Sequence, residues 1–346
     1  MIRVPVRLGG VLAVLLGMAL AVPAAAQTPS SEPSAQPQRH SARIVRVSGD
    51  SRVATAVAAS RHAFPGGAGT VVIAAARRFP DALAAVPLAA REGAPLLLVE
   101  ERARGAVLEE VRRLGASRAL LMAAHGAVPV VVELELRRAG LVVERVAGDG
   151  RFHTASRIAR RLGPGEAGEA VLVSGEAFAD ALPAGPLAAH AGLPILLTAA
   201  GELPADPAAA LRDLPAERVL VVGGPAAVGE AVVAGLPDAR RVSGPDRYRT
   251  ALAAADELLA RGGSLGTVAI ATGRDFADAL AAGPVAAQAG GPVLLVDGQD
   301  AAQADAVYDY LAEHRGDIDT VLLFGGAAAI SEDVRGRIAR ALGGDA

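Results

Sequence analysis

The chain of 346 residues contains no cysteine, no tryptophan and no lysine. Without cysteine there can be no disulfide, no thiolate nucleophile and no cysteine-ligated zinc. Aromatic residues make up only 3%. The core must therefore be built from Ala, Val, Leu and Gly, whose small side chains suit close packing of helices on sheets. Every strongly basic residue is an arginine, no basic block occurs and the net charge is −3. That balance is a poor footprint for nucleic acid. His40, His62, His125, His153, His190 and His314 share no common register, HExxH does not occur, and the one GxSxG match, Gly262–Gly266, precedes a strand run instead of following one, so it is no nucleophile elbow. Catalysis by a zinc-bound water or by an elbow serine thus finds no motif to stand on.

What the chain has in abundance is apolar residues, at 52%. The first of these form an export pattern. Arg3 and Arg7 precede the uncharged run Leu8–Val22, and Ala24–Ala26 offers small residues for cleavage before Gln27. Residues 1–26 are expected to be a signal peptide, with an uncleaved anchor as the alternative. Residues 27–41, polar and rich in Pro and Ser, have nothing to bury and read as a flexible linker. No later stretch resembles a transmembrane helix, so no stable span is expected after cleavage.

Three phrases then recur in one order, roughly 100 residues apart. The first is RVSGDSRVAT from Arg46, RVAGDGRFHT from Arg145 and RVSGPDRYRT from Arg241. The second is RRFPDALAAVPLAA from Arg77, EAFADALPAGPLAA from Glu176 and RDFADALAAGPVAA from Arg274. The third is VLVVGGPAAV from Val219 and VLLFGGAAAI from Val321, matched in the first unit only by ALLMAAHGAV from Ala119. Three units of common design follow, over residues 42–141, 142–237 and 238–346, and the first has drifted most.

Each unit alternates short β-branched runs with longer helical patterns. The strands read as continuous apolar runs, the pattern of buried parallel strands. The fold class is α/β: three tandem open, mostly parallel sheets with helices on both faces. Pro87, Pro186 and Pro284 stand at matched positions and are expected to break or kink a helix in each unit. Ser331 is a candidate cap for the last helix. The joins between units are short, which argues for packed modules.

Several repeated residues are candidates for a binding surface. Ser174-Gly175 and Thr272-Gly273 follow a strand, where the C-terminal edge of a parallel sheet offers turns and free amides. Tight turns alone also explain them, and neither pair forms GxGxxG. Asp81, Asp180 and Asp278 lie at a helix start, as caps or as acceptors for a sugar hydroxyl or an arginine. Three equivalent acids supply no asymmetric pair for glycoside hydrolysis. Arg52, Arg151 and Arg247, with Thr55, Thr154 and Thr250 three residues on, could hold a phosphate or carboxylate. An arginine–aspartate tie between units is the other reading. Tyr248 could stack on a sugar or simply pack. The residues call for no cofactor and no metal.

Taken together, RVSGPDRYRTALAAADEL, ATGRDFADALAAGPVAAQAGGPVLLV and VLLFGGAAAISEDV resemble the type 2 cell-wall-binding repeat family over nearly all of residues 42–346. The resemblance implies three modules in a pseudo-threefold arrangement, outside the cytoplasm, attached noncovalently to an anionic wall polymer or a peptidoglycan-associated glycan. Relatives are often labelled amidases or amidase modifiers, which gives an enzymatic alternative. A surface scaffold without polymer binding is a third. The first unit departs from the family pattern at Ala75-Ala76, Val86 and Ala123-Ala124. Those departures set its binding role apart from the other two.

Overall fold

The computed structural model describes residues 42–124, 126–165 and 168–344. The expected signal peptide and linker lie outside the described residues. The order of elements is β1 (Arg43–Val47), α1 (Arg52–Ala63), β2 (Thr70–Ala75), α2 (Phe79–Arg91), β3 (Leu96–Val99), α3 (Arg104–Leu114), β4 (Arg118–Leu121), α4 (Val130–Arg138) and β5 (Val142–Arg145). The same sequence returns as α5 (Arg151–Leu162), β6 (Glu169–Ser174), α6 (Ala184–His190), β7 (Ile195–Thr198), α7 (Ala205–Asp213), β8 (Arg218–Val222), α8 (Glu230–Ala234) and β9 (Ala239–Val242). It returns again as α9 (Arg247–Ala260), β10 (Thr267–Thr272), α10 (Ala277–Gln288), β11 (Val293–Val296), α11 (Asp305–Glu313), β12 (Thr320–Phe324) and α12 (Glu332–Ala341).

Three parallel four-stranded sheets result, in the orders β3-β2-β4-β5, β7-β6-β8-β9 and β11-β10-β12-β1. The fourth strand of each sheet comes from the repeated arginine phrase. β5 therefore belongs to the sheet of the first repeat although its sequence phrase opens the second. The expected joins at 141/142 and 237/238 fall just before these strands, so the sheets divide the chain a few residues later than the sequence repeat does. β1 closes the ring by pairing with β12, from Arg43 opposite Thr320 to Val47 opposite Phe324. Parallel pairing places the strands' C-terminal ends on one edge of each sheet, so each repeated phrase leaves its sheet at that edge.

The middle helices α2, α6 and α10 pack on one another at the centre of the molecule. Their buried residues are mostly Ala, Leu, Gly and Pro. Phe79, Phe178 and Phe276 meet on the pseudo-threefold axis, with ring centroids 6.1, 5.9 and 5.8 Å apart and tilted or edge-on planes. Such aromatic pairs contribute about 0.5–1.5 kcal/mol each beyond burial. One continuous core includes residues of all three repeats.

The matched prolines do not act alike. α2 and α10 run through Pro87 and Pro284. In the second repeat Pro183 caps a shortened helix starting at Ala184, and Pro186 falls in its first turn. A first-turn residue has no intrahelical carbonyl to bond, so proline costs little there. The expected break is therefore confined to the second repeat. Ser331 caps α12 as expected, accepting from the Val334 amide at 3.3 Å.

Candidate functional site

Each repeated phrase leaves a strand through a tight turn and enters α1, α5 or α9. The turn is held from within. Thr55, Thr154 and Thr250 are buried, and their Oγ1 atoms accept from the amides of Gly49, Gly148 and Gly244 at 3.3, 3.0 and 3.1 Å. A Cβ on those glycines would lie 2.4, 2.3 and 2.5 Å from Ala54, His153 and Arg249. Glycine is required there because the helix start presses against the turn.

Two layers of arginine build the edge of the sheets. Arg46, Arg145 and Arg241 donate to carbonyls of the loop after the third strand of each sheet. Their acceptors are Gly325 and Ile330, Ala123 and Val128, and Gly223 and Val228. Each also pairs with a glutamate at the start of the next helix, Glu332, Glu133 or Glu230. These arginines stand in the quoted phrase but were absent from the candidate residues. Their identical register in all three repeats was the signal available.

The second layer is the predicted one. Arg52 Nη1 donates to the Ala76 carbonyl at 3.2 Å, and Arg151 and Arg247 donate to Gly175 and Gly273 at the same place. Arg151 is exposed, and Arg52 and Arg247 are half-buried. Among the described residues, Arg52 is the one of the three that pairs with an acid, Asp275 at 3.4 Å, and it also lies 5.5 Å over the Phe276 ring. The arginines are thus anchored by one nitrogen at the surface, not sealed in interior ion pairs. Gly175 and Gly273 permit this, because a Cβ there would meet Phe152 at 2.8 Å and Arg247 Cδ at 2.9 Å.

The other predicted hydroxyls are engaged. Ser174 Oγ accepts from the amides of Glu176 and Ala177, and Thr272 Oγ1 from Arg274. Tyr248 is half-buried, with its hydroxyl 3.4 Å from Asp297. Burial, then the Asp297 carboxylate, holds the Tyr248 phenol above its usual range. Asp297 is itself clamped by Arg274 at 2.7 Å.

The aspartates lie where neighbouring repeats meet. Asp81 lies across from Arg151 and Thr154 in the first seam, and Asp278 across from Arg52 and Thr55 in the third, where the last repeat meets the first. In the second seam Asp180 Oδ2 accepts from the Gly224 amide at 3.2 Å. That approach depends on the Gly-Gly turn. Gly223 and Gly325 hold φ of +127° and +110°, and a Cβ on them would press on Asp180 or Asp278 at 3.3 or 2.5 Å. In the first repeat Ala123-Ala124 stands there without a positive φ. Asp81 is 7% exposed, and its Oδ1 has no hydrogen-bond partner among the described residues.

The seams differ in charge. The first is a notch of about 540 Å³ lined by Arg77, Arg78 and Arg151 against Asp81 and Asp149. The third, about 370 Å³, carries Arg52 against Asp50, Asp275 and Asp278. Burial pushes the Asp81 carboxyl up to about 7 although Arg78 and Arg151 pull the other way. Burial also raises Asp278, against the hydrogen bond from Thr55. Among the described residues no group of three or more His, Asp or Glu is placed as metal ligands would be. No described helix is long and apolar enough to cross a membrane.

Comparison with known proteins follows the same three units. The sequence profile of cell wall binding domain 2 matches residues 46–131, 145–233 and 241–335. Two curated proteins of Bacillus subtilis (strain 168) are each 28% identical. N-acetylmuramoyl-L-alanine amidase LytC aligns over 258 residues, 74% of this chain and 51% of its own length. Amidase enhancer aligns over 265 residues, 75% of this chain and 36% of its own. The fold resembles Cwp6 from Clostridium difficile with a TM-score of 0.73 at 23% identity, covering 91% of this chain and 50% of that one. It resembles Cwp8 from the same organism with a TM-score of 0.74 at 25% identity, covering 87% and 52%. The chain spans about half the length of these structures and half or less of the curated relatives.

Proposed function

Because the chain belongs to the cell wall binding domain 2 family, we propose that it attaches noncovalently to the bacterial cell wall by gripping an anionic wall polymer at the seams between repeats. One observation carries this reading. Arg52, Arg151 and Arg247 are each fixed by a strand-end carbonyl at a surface seam, which leaves further N–H groups of Arg151 and Arg247, and those of Arg52 not turned to Asp275, for a phosphate or carboxylate. Thr154, Thr250, Ser174, Thr272, Gly175 and Gly273 shape the grip, since their polar atoms or lack of Cβ hold the turns. Asp180 and Asp278 line the second and third seams. Tyr248 supports Arg247 from the side through its ring beside Gly273.

Several weak grips on a repetitive polymer combine through effective concentration. Binding by arginines at the rim is screened by salt. The role is non-catalytic, and its place is outside the cytoplasm at the wall. The aligned region is shared by one protein named an amidase and another named an amidase enhancer, and it fills half or less of each. A portion common to proteins of different named activity suits attachment better than chemistry. The test is sedimentation of the protein with purified walls and with walls stripped of secondary polymer. Binding lost on stripping and weakened by salt supports the proposal, and equal failure with both walls ends it. Muropeptide release from either wall would instead establish the amidase reading.

A further inference from the structure

The drift of the first repeat has produced a seam unlike the other two. Three features coincide there. The cavity is about 540 Å³ and is lined by three arginines. Asp81 presents a carboxyl group that is more than nine-tenths buried, with Oδ1 unpartnered among the described residues. The positions before the axial phenylalanine are Arg77-Arg78, where the second repeat has Glu176-Ala177 and the third Arg274-Asp275. The extra arginine thus sits in the repeat that departs most from the family pattern.

We propose that the first seam is a proton-linked oxyanion site, in which a singly charged phosphodiester or carboxylate group shares a proton with Asp81 Oδ1 and is held by Arg78 and Arg151. This rests on the reading that the seams hold an anionic polymer, and it specifies how one of them is regulated. An ionised Asp81 would repel the ligand's oxygen at hydrogen-bond distance. A protonated Asp81 donates to it and satisfies the orphaned Oδ1, while the arginines supply the charge. Burial already holds the Asp81 proton near neutrality, so the exchange falls in an accessible pH range.

Among the described residues, the charged groups around the carboxyl come from both sides of the seam. Arg77 and Arg78 come from the turn before α2, and Arg77 is partly neutralised by Glu100 at 3.0 Å. Asp149 and Arg151 come from the turn and start of α5. His153 lies behind Asp149, its Nδ1 accepting from the Asp149 amide at 3.3 Å. The described residues of the 124–127 loop that line the notch are Ala124, Gly126 and Ala127, which carry no charge. The other two seams lack this combination. Asp180 already has the Gly224 amide, and Asp278 shares its notch with Asp50 and Asp275.

The probes are dimethyl phosphate and glucuronate, whose charges do not change between about pH 5.5 and about pH 8.5. Binding to the whole protein is followed by amide chemical shifts. We expect shifts centred on Arg78, Asp81 and Arg151, with affinity at least ~10-fold higher at the lower pH. Asp81→Asn carries a permanent neutral donor and should bind equally at both values, which separates Asp81 from His153. In the unaltered protein, the Asp81 carboxyl carbon should titrate near neutrality and move to higher pH when dimethyl phosphate is added. Equal wild-type affinity at both pH values overturns the proposal. So does a pH dependence that Asp81→Asn retains, or an Asp81 titration that the anion leaves unmoved. Wall sedimentation beside these measurements keeps the two readings apart. Wall binding without proton linkage at Asp81 sinks this inference alone, and anion binding here without wall binding sinks the polymer reading.

Discussion

The side chain of Val86 packs tightly against the position where a Cβ on Gly283 would stand. Its Cγ2 lies 3.2 Å from that Cβ position, and both of its γ carbons lie 3.4 Å from the Cβ position of Gly185. Three equivalent residues thus converge, one branched side chain packing against two glycines, most closely against Gly283. What looks in the sequence like a lost glycine is one member of a complementary trio.

Gly283→Val should therefore destabilise the protein by about 1–3 kcal/mol through overpacking. Val86→Gly would open a cavity and also loosen α2. Combining the two should recover much of either loss, because the volume on the axis is restored. Urea denaturation of the two single variants and the double variant measures this coupling.

Arg261 ties the second seam. It donates to both oxygens of Glu169 at 2.9 Å and to Glu257 at 2.6 Å, and all three side chains are largely buried. Arg261→Ala leaves Glu169 buried without its partner and should cost about 3 kcal/mol. Glu169→Gln added to it should return part of that loss. Equal stability of Arg261→Ala and wild type in urea would show that the seam is held by apolar packing alone.

β1 closes the ring, so its removal should act on the far end of the chain. Deleting Arg43–Val47 unpairs one edge of β12 and removes the Arg46 bonds to Gly325 and Ile330. Hydrogen exchange should accelerate in β12 and the 325–330 loop and stay slow in β6 and β7. Exchange that rises uniformly would contradict this.

Stability should also carry the signature of Asp81. Its carboxyl is raised from 3.8 to about 7 in the folded state, so the folded protein binds the proton more tightly than the unfolded chain. Stability is then highest below the ordinary value, falls as pH rises from about 4 to about 7, and levels off above, with a total change of at most about 4 kcal/mol. Asp278, raised in the same direction, adds to this slope. Glu110, Glu133, Glu144 and Glu257 are depressed by arginine hydrogen bonds against burial and work oppositely, losing stability as pH falls below the ordinary glutamate value. Thermal melts of wild type and Asp81→Asn should differ in slope between about pH 5 and 7 and converge in slope above.

Much of the fold was legible. The continuous apolar strands, the cap at Ser331 and the three-unit plan all follow from local pattern, and local pattern is what hydrophobic period and capping chemistry report. The candidate residues were legible as positions but not as roles. Thr154 and Thr250 repeat because a glycine amide six residues earlier needs an acceptor. Arg46, Arg145 and Arg241 repeat because a loop far along the chain needs donors. Repetition marks both kinds of residue equally and cannot say which faces solvent.

The amino-acid sequence by itself determined the number of repeats, their parallel α/β character and the glycine turns at each strand end, since these depend on residues close together in the chain. Only the tertiary structure decided that each sheet borrows a strand across the repeat boundary, that Val86 packs against two glycines of the other repeats, and that the drifted first repeat forms a seam richer in arginine than the third. Those outcomes arise where residues distant in sequence share one volume and one electric field, and no single repeat contains both sides of that contact.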